Sequence, residues 1–292
     1  MRRAIARWMG WWLRLFILSV ILFRFTAFPP RVELLAAVLL LLLAFVRPRG
    51  APGRAPEVVA PPVRGRWTAL NSPATKVPSH GVRAYGQTYA IDILHPRPPG
   101  APATIGWGIG MRRPERFPTF GEPGLAVADG VVVRASGWQR DHRSRESWPA
   151  LAVMMTIEGA VRETVWAGLV LGNHVVVDHG DGVYAAYAHL RRRSLLVAEG
   201  DRVQAGQQLA EVGNSGNTTE PHLHVQLMDR PVLTAAAGVP FRWRDIEIVP
   251  GAIDPSYAHG PVSTVIEPGL PADGQVFVAA AEDEPSPTPT TA

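Results

Sequence analysis

The stretch GNHVVVDHGDGVYAAYAHL, residues 172–190, decides the fold class of this 292-residue chain. It holds two apolar runs, one rich in valine and the other in tyrosine and alanine, on either side of a segment rich in glycine and aspartate. Runs of this length and composition favour β-strands. The dipeptide Asp181-Gly182 between them readily adopts the positive φ angles of a tight turn, so the stretch predicts a β-hairpin.

Further short apolar runs, separated by glycine, Asp-Gly or asparagine, lie on both sides of this hairpin. They are YAIDIL (89–94), GVVVRA (130–135), GQQLAEVG (206–213) and HLHVQLM (222–228). Their spacing predicts a mainly β domain over residues 67–262, a compact antiparallel β-sheet or sandwich. Residues 138–170 interrupt the pattern and are predicted to be an insertion between two core strands, with helix and strand both open for them.

Charge and composition narrow the class of protein. Charged residues make up 18% and hydrophobic residues 47% of the chain, an ordinary ratio for a globular protein. The excess of positive charge is confined to residues 1–66, which contain eleven arginines and two glutamates, so it favours a membrane-facing segment over nucleic-acid binding. The chain has no cysteine, so any metal site must use histidine and carboxylate ligands.

Residues 1–48 are predicted to anchor the chain to a membrane through one or two helices. The apolar runs Leu15–Phe23 and Leu34–Val46 contain nine and thirteen residues, whereas a spanning helix needs about 20. If both runs cross, the arginines at both ends lie in the cytoplasm together with the main domain, as the positive-inside rule favours. If only one run crosses, the main domain lies outside the cytoplasm. Both topologies stay open.

Two segments without periodicity flank the predicted domain. Residues 49–66 are rich in proline, glycine and arginine and are predicted to be a semi-rigid linker. Residues 263–292 end in the sequence AEDEPSPTPTTA, which is acidic and rich in proline and threonine. Such a composition favours disorder, because it has few apolar side chains to bury.

The stretch EPHLHVQL, residues 220–227, places two histidines one residue apart in a predicted strand. Side chains alternate between the two faces of a strand, so His222 and His224 point the same way while Leu223 points to the core. Two interpretations are open at this point. The histidines are either solvated polar residues on the outer face or part of a metal site.

Several motifs in this part of the chain follow one another in order. They are Tyr-x-His-Leu (187–190), Gly-x-x-Val-x-x-Gly (200–206), Gly-Asn-Ser-Gly (213–216) and Pro-His-Leu-His (221–224). Over residues 172–227 the sequence resembles the lysostaphin-type (LytM-like) zinc endopeptidases, and more weakly so back to residues 89–94. The resemblance implies a compact antiparallel β fold that holds one zinc ion in a groove through two histidines and one aspartate. Most proteins of this family cut peptides of bacterial peptidoglycan.

The resemblance also implies roles for individual residues. Asp92 and His224 match the metal-ligating aspartate and second histidine of the family. His189 and His222 match the two histidines that flank the metal without binding it, which implies a catalytic role for both. Tyr187 is expected to share a strand face with His189.

The first histidine of the family's metal site is missing from its usual place. That place lies four residues before Asp92 and contains Thr88, a poor neutral ligand for zinc. His80 lies twelve residues before Asp92 and can replace it if the residues between them loop out, as the neighbouring proline and glycine favour. We predict His80 as the third ligand; His95 and a site without a third protein ligand are the alternatives.

Together these residues imply an endopeptidase that uses one Zn²⁺ per chain and acts on peptidoglycan peptides outside the cytoplasm, with cell-wall or division proteins as further partners and no nucleic-acid partner. An inactive domain that serves as a scaffold or activator of cell-wall hydrolases is an alternative, because of Thr88. A membrane-bound sensor or adaptor is another, because a membrane hairpin would keep the domain in the cytoplasm. His142 and His174 are expected to be solvated.

Overall fold

The fold is built around a nine-stranded antiparallel β-sheet, seen in a computed structural model that describes residues 1–26, 28–50, 53–97, 105–108, 111–258 and 269–280. The strands of this sheet and of two small pairs are β1 (Glu57–Val59), β2 (Gly65–Leu70), β3 (Ile91–Leu94), β4 (Pro123–Leu125), β5 (Gly130–Ser136), β6 (Asn173–Asp178), β7 (Tyr184–Leu190), β8 (Arg202–Val203), β9 (Gln208–Glu211), β10 (Leu223–Met228), β11 (Phe241–Trp243), β12 (Ile246–Ile253) and β13 (Gln275–Ala279).

The order of strands across the sheet is β12, β13, β2, β3, β10, β7, β6, β5 and β8, and β3 and β10 lie near its middle. Outside this sheet, β1 pairs in parallel with β11, and β4 pairs with β9. The predicted hairpin is formed by β6 and β7, with Asp181 and Gly182 at φ angles of 49° and 69° in its turn. The antiparallel β fold expected from the sequence is therefore confirmed.

Alternation along the central strands separates an apolar face from a polar one. Ile91 and Ile93 of β3 and Val225 of β10 are fully buried in the main hydrophobic core. The residues between or beside them, Asp92 and His224, project from the opposite face. Each large aliphatic side chain buried in the core contributes about 1.5–3 kcal/mol, so a register shift that exposed them would be costly. The same register holds Asp92 beside His224.

The N-terminal part of the chain is helical. It contains α1 (Arg2–Arg7), α2 (Met9–Leu22), a 3₁₀ turn (Phe23–Phe25) and α3 (Pro30–Ala44). The helices α2 and α3 pack against each other, and each is only about 21–23 Å long at 1.5 Å per residue. Among the described residues, no helix combines the length and the apolar character that a membrane crossing requires. The prediction of one or two membrane-spanning helices within residues 1–48 is therefore not supported.

The segment between β5 and β6, for which the sequence left helix and strand open, is helical. It contains α4 (Trp148–Val153), a π-helical turn (Met154–Glu158), α5 (Gly159–Val165) and α6 (Gly168–Leu171). The Ser147 hydroxyl accepts a hydrogen bond from the Ala150 amide at 3.3 Å and so caps the start of α4. Arg14 of α2 donates hydrogen bonds to the carbonyl oxygens of Thr164 and Val165, which ties the N-terminal helices to the end of α5.

Both predicted boundaries of the β domain need correction, because the flanking segments add strands to it. Within the predicted linker, β1 pairs with β11, and Val63 is fully buried. Within the predicted disordered tail, β13 lies between β2 and β12 and buries Phe277. The apolar side chains of these short strands are buried only by contacts with distant parts of the chain. The proline content of the linker and the acidic content of the tail therefore led to the wrong prediction for these strands. Residues 259–268 and 281–292 lie outside the described residues.

Candidate metal centre

Two neighbouring strands at the centre of the sheet, β3 and β10, bring Asp92 and His224 together. The two residues are direct partners in the antiparallel register. Nδ1 of His224 lies 2.8 Å from Oδ1 of Asp92, and each residue is only 3% exposed. The geometry of this pair is therefore set by the backbone pairing of two core strands.

His80 reaches the same carboxylate from a loop. Its Nε2 atom lies 3.2 Å from Oδ1 and 3.1 Å from Oδ2 of Asp92. Its ring centroid lies 4.9 Å from that of His224. One nitrogen of each histidine and one carboxylate oxygen of Asp92 all lie within 4.8 Å of one another. The fold thus brings together the three residues that the sequence singled out as ligands.

The loop between His80 and β3 makes this arrangement possible. The Ser79 amide donates to the carbonyl oxygen of Thr88 at 3.1 Å, which closes the loop and returns His80 to the start of β3. The loop reverses at Gly86, whose φ angle is 78°. A Cβ atom at Gly86 would lie 3.0 Å from Cβ of Met228, so glycine suits this position in both backbone angle and space. Thr88, which lies where the family's first histidine is expected, thus helps to close the loop that positions His80.

The ring nitrogens that face away from Asp92 have hydrogen-bond partners. Nδ1 of His80 lies 3.1 Å from the Ser79 hydroxyl, and Nε2 of His224 lies 3.1 Å from Oε1 of Gln226. The amide nitrogen of Gln226 donates to the Tyr85 carbonyl at 2.7 Å, which orients Oε1 towards the histidine. Because Oε1 only accepts, Nε2 of His224 carries a proton.

With Nε2 protonated, a neutral His224 presents the lone pair of Nδ1 to the Asp92 carboxylate. A lone pair and a carboxylate oxygen 2.8 Å apart repel each other unless a proton on Nδ1 or a metal ion lies between them. Histidine nitrogen and carboxylate oxygen are ordinary zinc ligands. The three donor atoms therefore fit a divalent metal ion such as zinc.

Burial and neighbouring side chains shift the pKa values of the residues in the site. Burial raises the pKa of the Asp92 carboxyl, but the adjacent His80, His222 and His224 hold that pKa well below its ordinary value. Burial lowers the pKa of His80. Burial also lowers the pKa of His224, but its bond to Asp92 more than offsets this and the net shift is upward. Asp92 is thus an anion at neutral pH, the form in which a carboxylate binds a metal ion.

Two residues that the sequence did not single out support the ligands. The side-chain amide of Asn71 donates to Oδ2 of Asp92 at 2.8 Å, and Gln226 holds His224 as described above. Outer partners of this kind are typically worth 10–100-fold in metal affinity. Gln226 lies two residues after His224, so strand alternation could have identified it. Asn71 has no comparable local signal.

The strand β7 contains a bulge next to the site. Asn173 of β6 pairs with Leu190, and Val175 pairs with Tyr187, so β7 has one more residue than β6 between these two pairs. The extra residue lies in the segment that contains His189. Bulges bend a strand and can redirect a side chain to the other face of the sheet.

His189 reaches the site because of this bulge. Its φ angle is 60°, and its ring centroid lies 4.8 Å from that of His222 and 5.6 Å from that of His224. Tyr187 lies in the hydrophobic core, where its hydroxyl accepts a hydrogen bond from the Val127 amide at 2.8 Å. The expectation that Tyr187 and His189 share a strand face is therefore wrong.

His222 and His189 are both oriented by backbone carbonyls. Nδ1 of His222 donates to the Glu220 carbonyl at 2.8 Å, and Nδ1 of His189 donates to the Ser215 carbonyl at 2.8 Å. Nε2 of His222 then lies 3.6 Å from Oδ1 of Asp92. Both histidines are thus positioned through Nδ1.

Three other histidines lie apart from this group. His95 stacks on Trp67 with 4.1 Å between ring centroids, and it does not join the group of potential metal ligands. His174 is 1% exposed, so the expectation of a solvated side chain is wrong for it. His142 is half-buried, and its Nε2 lies 2.9 Å from the Gly216 carbonyl, in the loop that precedes His222.

The sequence profile of Peptidase family M23 matches residues 148–236. This range contains His189, His222 and His224. His80 and Asp92 lie upstream of it, so their place in the site comes from the strand pairing and loop contacts described above.

Individual relatives match short stretches of the chain. The chain is 41% identical over 71 residues to the peptidoglycan DD-endopeptidase ShyA of Vibrio cholerae, a match that covers 24% of this chain and 16% of ShyA. It is 37% identical over 79 residues to the murein hydrolase activator NlpD of Salmonella dublin, which covers 26% of this chain and 19% of NlpD. The matched segments thus span less than a fifth of either relative.

Among solved structures, the catalytic domain of the prophage-encoded M23 protein EnpA from Enterococcus faecalis aligns with a TM-score of 0.31 at 19% identity. This alignment covers 66% of this chain and 93% of that domain.

Proposed function

We propose that this chain, of which residues 148–236 match the profile of Peptidase family M23, is a zinc-dependent endopeptidase that hydrolyses peptide bonds of bacterial peptidoglycan. The observation that carries the proposal is the donor set of His80, Asp92 and His224, with His189 and His222 beside it. The substrate class is supported by a relative that is named a peptidoglycan endopeptidase.

His80, Asp92 and His224 would hold the metal ion through two ring nitrogens and a carboxylate oxygen. Three protein ligands leave a position open to water, as in catalytic rather than structural zinc sites. When bound, zinc polarises a carbonyl group and lowers the pKa of water to about 7. The bonds from Ser79 and Gln226 orient the two histidine rings before metal binding.

His189 and His222 would assist proton transfer from the attacking water and stabilise the negative charge that develops on the substrate oxygen. Burial lowers the pKa of His189 well below its ordinary value, and the nearby His222 and His224 lower it further. His189 is therefore neutral near pH 7, and its Nε2 can accept a proton from the attacking water. Nε2 of His222 can orient that water by accepting a hydrogen bond from it, and the proton taken up by Nε2 of His189 can stabilise the oxyanion and then pass to the leaving amine. The chain has no His-Glu-x-x-His sequence that would supply a glutamate base instead.

The loop of residues 214–219 would line the substrate groove. The inserted segment holds this loop through several hydrogen bonds, two of which come from arginines. Arg162 of α5 donates to Oδ1 of Asn217 at 2.5 Å, and the Arg145 amide donates to the Thr219 carbonyl at 2.6 Å. We infer that the insertion sets the shape of the groove and thereby the choice of substrate.

Zinc content and cleavage of purified peptidoglycan by the full chain test this function. We expect about one zinc ion per chain. His224→Ala should lose the metal, whereas His222→Ala should keep the metal and lose cleavage; His95→Gln, outside the donor set, should keep the metal. Full cleavage by zinc-free protein would refute the mechanism, and a zinc-loaded chain that releases no peptide would refute the activity.

The alternative is a non-catalytic scaffold or activator of wall hydrolases, since one relative is named a murein hydrolase activator. The complete donor set argues against it, because His80 takes the place of the ligand that Thr88 cannot supply. The alternative would be favoured if the chain stimulated a wall hydrolase equally well with and without its metal. An activity on peptidoglycan also requires the domain to lie outside the cytoplasm, and a reporter fused after Ala292 that is active only in the cytoplasm would contradict it.

A further inference from the structure

A small cavity adjoins the metal centre where β3 ends and β10 begins. It has a volume of about 190 Å³, and its walls include Leu94, Arg97, Arg112, Arg116, Phe117 and Glu220. Leu94 lies two residues after Asp92, and Glu220 lies two residues before His222. Two strand residues span about 7 Å, so the cavity begins about two substrate residues away from Asp92.

Two of the three arginines in this cavity are neutralised by carboxylates of the protein. Arg97 lies 2.8 Å from Oε2 of Glu220, and both side chains are largely buried. Arg112 binds Glu146 through two of its guanidinium nitrogens. Neither positive charge is therefore left over for a ligand.

Arg116 differs from these two arginines. It ends the 3₁₀ turn Pro114–Arg116, is exposed, and has no carboxylate within ion-pair distance in the part of the chain that the structure describes. The cavity that it lines has apolar walls at Leu94 and Phe117. One positive charge without an internal counter-ion thus borders a small, partly apolar space next to the site.

We propose that this cavity is a substrate subsite in which Arg116 binds a free carboxylate of the peptide, so that the chain prefers acidic peptides to neutral ones. This inference rests on the endopeptidase activity proposed above. A guanidinium binds a carboxylate through two parallel hydrogen bonds, and the pair is stronger in a cavity than in open water. Peptides of peptidoglycan carry free carboxylates that fit this requirement.

The test compares two exposed arginines, one at the end of this short turn and one just before it. Arg116 lines the cavity, whereas Arg113, just before the turn, does not. The substrates are soluble cross-linked peptidoglycan peptides, either native or with their carboxylates converted to methylamides. KM and kcat are measured with the zinc-loaded full chain, and unchanged zinc content shows that each variant is folded.

For the unmodified chain we expect KM to be about fivefold lower for native than for amidated peptides, the effect of one exposed ion pair of good geometry. Arg116→Gln should raise KM for native peptides by about the same factor, abolish the difference between the two substrates and leave kcat unchanged. Arg113→Gln should retain the preference.

A preference that persists in Arg116→Gln would overturn the assignment and leave the endopeptidase activity standing. If the unmodified chain cleaves neither substrate, the proposed function is wrong instead. Equilibrium binding of both peptides to the metal-free full chain then tests the subsite independently of the activity. Tighter binding of native peptides that depends on Arg116 supports the subsite, and equal binding of both peptides refutes it.

Discussion

The exchange of His80 for glutamine tests the least expected member of the metal centre. Nε2 of His80 lies 3.1 Å from Oδ2 of Asp92, and its Nδ1 lies 3.1 Å from the Ser79 hydroxyl. Glutamine preserves much of the side-chain volume and its hydrogen-bonding ability but is not an ordinary zinc ligand. His80 lies in a loop and is only half-buried, so the sheet should fold normally in the variant.

The size of the effect follows from the number of ligands. Zinc binding in four-ligand protein sites is worth about 10–16 kcal/mol at pH 7, or about 3 kcal/mol per ligand. Loss of His80 should therefore raise the Kd for zinc by roughly 100-fold, since each tenfold change corresponds to about 1.4 kcal/mol. Asp92 and His224 would still bind the metal weakly.

The assay is a competition between the full chain and a chelating dye for zinc. His95→Gln is the matched control, because His95 stacks on Trp67 and does not belong to the donor set. We expect the control to bind zinc as the unmodified chain does. An unchanged zinc affinity in His80→Gln would refute the assignment of His80 as a ligand and leave a site with two protein ligands.

Two further predictions concern the fold around the site. Gly86→Ala should lower the free energy of unfolding by about 1–3 kcal/mol more than Gly180→Ala. Both glycines have positive φ angles, but only the Cβ atom at Gly86 would meet Met228, so equal losses in urea unfolding would refute the crowding argument. Burial lowers the pKa of His174, so its contribution to stability is complete above its unfolded pKa of about 6.5 and is lost as the pH falls through that range. His174→Gln should therefore lose less unfolding free energy than the unmodified chain between about pH 7 and pH 5, and an identical loss in both would contradict the pKa shift.

Much of the fold and part of the site could be predicted from local sequence. The Asp-Gly turn of residues 172–190 predicts the hairpin, and alternation places His222 and His224 on one face. Both inferences depend on contacts within a few residues, where backbone geometry allows few alternatives. The absence of cysteine likewise restricted the metal ligands to histidine and carboxylate.

Only the tertiary structure decided how His80 and His189 join these residues. His80 depends on a loop closed between Ser79 and Thr88, and on the space that Gly86 leaves beside β10. His189 depends on a bulge that reverses the strand alternation after Tyr187. A closed loop and a bulge are selected by packing between residues far apart in the chain, and a local pattern of residue types does not record that packing.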